Sequence, residues 1–225
     1  MGPPLDARLK HTAMIVFLAA GVVATSTGAA DTGWNAYQRG DYALARTLYQ
    51  SAARSGDRLA QYNLGMMQIR AEGGGADADA GVYWLRKASE AGMAQAQYNL
   101  GLLYETGMGV PRSLTDATTW WEKAAAQGHA DAQVQVATQY FLGRGAPKDW
   151  KRAARWYEAA AANGDVGAQY IIASFYEHGD GVAADLKKAL NWYVLAAQQG
   201  DVGAAAQAKD VARRLLAGES PAKPH

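Results

Sequence analysis

The chain has no cysteine among its 225 residues. Disulfide staples, thiolate metal ligands and a cysteine nucleophile are thereby excluded, as is a lipid-anchored export signal, which needs a cysteine at its cleavage point. An excess of one charge is also missing: 22 basic against 21 acidic side chains leave a formal net charge of +1. No run of Lys or Arg interleaves with aromatic residues, so a nucleic-acid partner has no electrostatic support. Phe is scarce at 3 and His at 4, too few histidines for much acid–base or metal chemistry. What is plentiful is Ala and Gly, together with 7 Trp and 12 Tyr. That mixture suits closely packed helices, in which small residues let backbones approach and large rings fill the gaps.

Long apolar runs are missing too. The run Ala13 to Ala24 has 12 residues, about two thirds of the roughly 18 that a membrane-spanning helix needs. Arg8, Lys10 and His11 precede it, and the small residues Gly28-Ala29-Ala30 follow. A basic start, a short apolar core and a small-residue end are the three parts of a secretory signal peptide. The sequence therefore predicts export, with cleavage near Ala30, a periplasmic or secreted mature chain, and no stable membrane anchor after cleavage.

Beyond residue 30 one period governs the chain. Steps of 36 residues connect Ala60, Ala96, Ala132, Ala168 and Ala204, and likewise Leu48, Trp84, Trp120, Trp156 and Trp192. Gly56, Gly92, Gly128, Gly164 and Gly200 form a third column, and Ala45, Gly81, Ala117, Ala153 and Ala189 a fourth. A fixed period of this size marks stacked supersecondary units. Each unit reads as two helices. In residues 93–128, Ala96, Leu100, Leu103 and Tyr104 form one buried face of a first helix. Gly107 to Val110 ends it, and Pro111 bars its continuation. A second helix, about Ser113 to Gln127, is expected to bury Ala117, Trp120, Trp121, Ala124 and Ala125. Asp41, Asp77, Ser113, Asp149 and Asp185 start the second helices, where their side-chain oxygens can accept unpaired backbone N–H groups. The expectation is an all-α solenoid of stacked antiparallel helix pairs. Its parts are a signal peptide (1–30), an atypical N-terminal helix pair (31–56), four repeats (57–200), a C-terminal capping helix (201–218) and a disordered tail (219–225). Lys209, Arg213 and Arg214 give the capping helix its polar face.

The spacing of Ala96, Leu100, Gly101, Tyr104, Gly107, Gly109, Val110, Ala117, Trp120, Ala124, Ala125 and Gly128 resembles the Sel1-like repeat family, relatives of the tetratricopeptide repeats. The resemblance covers about Asp41 to Gly203. It implies an α-solenoid acting as a protein-interaction adaptor, and some exported bacterial members regulate envelope signalling or exopolysaccharide production. Two departures stand out. Val134, Val136 and Ala137 replace the Tyr and Leu-Gly of other units. The loop Ala71 to Gly81 carries three consecutive glycines without the Gly-x-Gly-Val form, and is expected to be the most mobile joint.

The glycine-rich loops follow helices rather than strands, so they read as helix ends and not as phosphate cradles. His178, near Glu177 and Asp180, reads as a helix-end histidine. No catalytic residue, cofactor or metal site is expected. A stripe on the first helices is the candidate site: Tyr62, Met66, Tyr98, Leu102, Glu105, Tyr170 and Glu177. It lies about 200° around the helix from the Ala column. Two readings stand for it. Either the stripe lines a concave groove for a protein or peptide partner, or it packs against the neighbouring repeat. Two further classes stay open: a polysaccharide binder or hydrolase of the envelope using carboxylates such as Glu105 or Glu177, and a structural piece of a larger assembly.

Overall fold

The computed structural model describes residues 28–219, so the expected signal peptide (1–30) and tail (219–225) fall almost entirely outside them. Among the described residues there are eleven α-helices and no strands. They are α1 (Gly28–Gln38), α2 (Tyr42–Arg54), α3 (Arg58–Ile69), α4 (Ala78–Glu90), α5 (Ala94–Thr106), α6 (Leu114–Ala126), α7 (Ala130–Leu142), α8 (Trp150–Ala162), α9 (Val166–His178), α10 (Leu186–Gln198) and α11 (Val202–Leu216). The first helix includes the expected cleavage point at Ala30. Two compact units divide the chain, Met1–Trp120 and Trp121–His225. In the first, α1 to α5 pack each against the next; in the second, α7 to α11 do so.

The expected cap column performs as its chemistry dictates. Asp41 accepts from the Leu44 N–H at 3.1 Å, Asp77 from Ala80 at 2.9 Å and Asp149 from Arg152 at 2.9 Å. Ser113 accepts from Asp116 at 3.2 Å, and Asp185 from both Lys187 and Lys188 at 3.0 Å. First helices are capped by a second column. Asp57, Asp165 and Asp201 accept N–H groups at 2.6–2.9 Å, and His129 uses its ring Nδ1 to accept from Ala132 at 3.3 Å. Met93 occupies the same position without a side-chain cap bond.

Small residues set the helix spacing. A Cβ on Gly65 of α3 would lie 2.8 Å from the Gly81 carbonyl of α4, and one on Gly81 would lie 2.8 Å from the Gly65 carbonyl. The two helices therefore touch backbone to backbone. Around this joint Tyr49, Ala53, Ala60, Leu64 and Met67 form one buried cluster, with Leu48 and Trp84 against it. In the second unit Ala153, Ala160, Ala168 and Ala189 are fully or almost fully buried. There Phe141, Trp150 and Phe175 meet at ring centroid distances of 5.2–5.8 Å. Trp120 departs from expectation: it is half-buried, whereas Trp121 is fully enclosed.

The three-glycine loop keeps the geometry of its counterparts. Ala71 takes φ +59° and Gly73 φ +72°, as Gly107 and Gly109 do at +80° and +66°. The backbone at Gly73 runs so close to the Tyr42 carbonyl that a Cβ there would collide with it. The Arg46 guanidinium also donates to the Gly75 carbonyl at 3.3 Å. The loop is tied to α2 by these two contacts.

Candidate functional site

The tyrosine stripe is largely interior. Tyr62 is 3%, Met66 4%, Tyr98 5%, Leu102 0% and Glu177 5% exposed, which leaves only Glu105 and Tyr170 half-exposed. The physical reason is that a helix in a stacked array has a neighbour on each side, so a position 200° from one packed face meets the next repeat. The Tyr62 hydroxyl of α3 accepts from Asn99 Nδ2 of α5 at 3.1 Å, and the same Asn99 amide lies 3.5 Å from Met66 Sδ. Tyr170 stacks edge-on against Tyr193 at 5.3 Å. As an open groove the stripe is therefore corrected: at five of its seven positions it is interior.

Glu177 belongs to a buried ionic knot. Its carboxylate accepts from the Tyr193 hydroxyl at 3.0 Å and pairs with the Arg214 guanidinium of α11. Burial, reinforced by the Glu177 charge, pushes the Tyr193 phenol well above its usual value. Pinned between a phenol and a guanidinium, this carboxylate serves to dock the last helix. His178 ends α9 with Nδ1 2.9 Å from the Ser174 carbonyl of its own helix.

Two polar systems escaped the sequence reading. The first is a column of buried glutamines, Gln61, Gln97, Gln133 and Gln169, all 4–8% exposed. Each donates its side-chain amide to the carbonyl eight residues earlier, near the end of the preceding second helix: Ala53, Ser89, Ala125 and Ala161, at 3.0–3.3 Å. The second residue of each "AQ" pair carried this signal, because a polar residue repeated at a core-facing register needs a partner. The second system is a phenol–carboxylate pairing in the second unit. Tyr140 donates to Glu122 at 2.5 Å and Tyr176 to Glu158 at 2.7 Å. The Arg152 guanidinium stands over the Tyr140 ring and pairs with Glu122 at 2.7 Å. Burial and the adjacent carboxylates raise both phenols to about 12. At neutral pH they are donors, not bases.

A cleft of about 40 Å³ opens between α1, α2 and α3 in the first unit. Trp34, Tyr37, Tyr49 and Tyr62 supply aromatic lining, and Met66 and Met67 are among the apolar residues beside them. Asn63, Arg70 and Glu72 are its polar lining. The Tyr37 hydroxyl donates to Glu72 Oε1 at 3.2 Å, and the Trp34 and Tyr37 rings lie parallel within 8°. Burial raises the Tyr62 phenol to about 12 against the opposing influence of Arg70. Two of the stripe residues, Tyr62 and Met66, thus reach a cavity after all, through the atypical N-terminal pair. Among the described residues no group of three or more His, Asp or Glu could hold a metal ion. None of the described helices is long and apolar enough to cross a membrane.

The Sel1 repeat family matches residues 30–57, 58–93, 94–129, 130–165 and 166–201, so the helix pair read as an atypical cap is matched as a repeat in its own right. A Sel1 repeat protein from Oxalobacter formigenes is 35% identical, with 80% of this chain and 74% of that one covered and a TM-score of 0.74. The protective antigen c5321, present in uropathogenic Escherichia coli strains and displaying an SLR fold, is 31% identical with a TM-score of 0.76. That alignment covers 84% of this chain but only 41% of the antigen, so the chain spans about two fifths of that protein. No curated protein matches the chain. With its helix pairs, its 36-residue period and family matches over most of its length, the chain belongs to the Sel1 repeat family of α-solenoids, generally protein–protein interaction scaffolds.

Proposed function

We propose that this protein is an exported, non-catalytic scaffold that holds a protein or peptide partner in the bacterial cell envelope. One observation carries the scaffold reading: a buried alanine column repeats without change while an exposed column of the second helices varies. Ala60, Ala96, Ala132, Ala168 and Ala204 are all buried and identical. On the second helices, the exposed column Thr47, Tyr83, Thr119, Arg155 and Asn191 never repeats its chemistry beyond a pair of threonines. A frame that fixes its core and varies its surface presents a distinct side chain at each step, which suits recognition of an extended partner. Tyr83, 53% exposed, and Arg155, beside the half-buried Trp156, are residue types enriched in binding hot spots. Export rests on the basic, apolar and small-residue segments of residues 8–30.

The test is a tagged full-length chain expressed in a Gram-negative host, fractionated by osmotic shock, and cross-linked before capture. The expected result is recovery from the periplasmic fraction with a defined protein, whose yield falls in Tyr83→Ser or Arg155→Ser while helicity is unchanged. Retention in the cytoplasm would overturn the envelope assignment. Recovery of polysaccharide alone would replace the scaffold with a carbohydrate binder.

A further inference from the structure

The cleft between α1, α2 and α3 has a composition that specifies its occupant. Asn63 Nδ2 and Glu72 Oε2 are both buried and have no hydrogen-bond partner. One is a donor and the other an acceptor, and buried polar atoms in native proteins are rarely left unmatched. The formal charges of Arg70 and Glu72 on the walls cancel. A cationic guest would face the guanidinium and an anionic guest the carboxylate, each at close range. The guest is therefore neutral, and it must accept from Asn63 and donate to Glu72. Aromatic faces on several sides favour a planar group. The volume of about 40 Å³ corresponds to roughly three water-sized groups. A carboxamide has three heavy atoms, is planar and neutral, and carries both a donor and an acceptor.

We propose that this cleft receives the side-chain carboxamide of an Asn or Gln residue on a peptide partner. The proposal rests on the scaffold reading, and it gives that scaffold one side-chain-specific pocket on its N-terminal helix pair. Glu72 accepts the carboxamide N–H₂ through Oε2 while Oε1 keeps its bond from Tyr37. Asn63 Nδ2 donates to the carboxamide oxygen. Met66 and Met67 also line the cleft, and such polarizable side chains adapt to small differences in stem length.

The experiment is a titration of the full chain followed by ¹H–¹⁵N correlation spectra, with the Trp34 indole N–H as reporter. The probes are the Nα-acetyl methylamides of glutamine, glutamate and lysine, and methyl N-acetyl-β-glucosaminide. For a probe of this size the ligand-efficiency bound places the dissociation constant on the order of 1 mM. The glutamine probe is expected to give a saturable shift, weakened at least about tenfold (the 1.4 kcal/mol scale of one good hydrogen bond) in Asn63→Leu and in Glu72→Met. Circular dichroism checks that both variants are folded. Equal responses to the glutamate or lysine probes would overturn the charge argument. A response to the glucosaminide alone would assign the cleft to an amino-sugar acetamido group. No saturable shift with any probe would mean that the cleft holds only water. Each of these outcomes leaves capture of a protein partner intact, so loss of the pocket and loss of the scaffold reading are told apart.

Discussion

Met93 offers a direct measurement of what a helix cap contributes in this array. It stands before α5 with φ −75° and ψ 109° and makes no side-chain cap bond. Asp57, Asp165 and Asp201 hold the same position before α3, α9 and α11 with φ between −66° and −73° and ψ between 108° and 114°. The backbone at Met93 is therefore already set for an aspartate, and Met93→Asp needs no rearrangement. The cap bond is worth about 1 kcal/mol. A carboxylate at the helix N-terminus adds roughly 0.3–1 kcal/mol. Against this, a half-buried methionine is lost, at about 1 kcal/mol. Met93→Ala suffers only that loss, so the two variants should differ by about 1–2 kcal/mol in favour of aspartate. For a chain of this size that is roughly 2–8 °C in melting temperature. Urea unfolding followed by circular dichroism reads the difference, which should fade below about pH 4 as the carboxylate protonates. If Met93→Asp proves no more stable than Met93→Ala, the cap column does not do what its geometry indicates.

The remaining predictions concern other joints. His129 caps α7 as a neutral ring, and burial lowers its pKa. The unfolded chain then binds the proton more tightly, so this stability is complete above about pH 6.5 and is lost as pH falls below it. His129→Asp should flatten the stability profile between pH 7 and pH 5, as followed by denaturant midpoints (flanking values set by the ordinary His pKa of about 6.5). Gly65→Ala should destabilise despite a helix-propensity gain of about 1 kcal/mol, because overpacking against the Gly81 carbonyl costs about 1–3 kcal/mol. Gly167→Ala on α9, where the nearest atom to a new Cβ is Asp165 Oδ1 at 3.4 Å, should stabilise, and reversal of this order in thermal melts would refute the close-contact account. Arg214→Ala should strand the buried Glu177 carboxylate at a cost of about 3 kcal/mol, seen as early exchange of α11 amide protons; a change under about 0.5 kcal/mol would mean the knot is replaceable by water.

Most of the frame was legible before any coordinate. Period, helix pairs and the Asp/Ser caps follow from columns of like residues, because a repeated backbone makes the same local demand at each step. The face of the tyrosine stripe was not legible. Helical spacing gives an angle around Tyr62, whereas only three-dimensional stacking places Asn99 against its hydroxyl. Ala71 shows another limit: an alanine in the left-handed region looks like a departure in sequence, yet the loop around it keeps its shape. The cleft depends on Trp34 and Tyr37 of α1, which belong to none of the four 36-residue columns read from the sequence, so periodicity carried no signal for it. His129 went unread as a cap because imidazole seldom fills a position that aspartate prefers.

The glutamine clasps bear on how such a chain changes in copy number. Each clasp joins a glutamine to a carbonyl only eight residues upstream, so a 36-residue cassette carries donor and acceptor for one junction intact. Duplication or excision of a whole cassette leaves every remaining amide with a carbonyl to meet. At the next step the column holds Ala205, and the series stops. A gene encoding this frame can lengthen or shorten by recombination within the array without inventing a new joint.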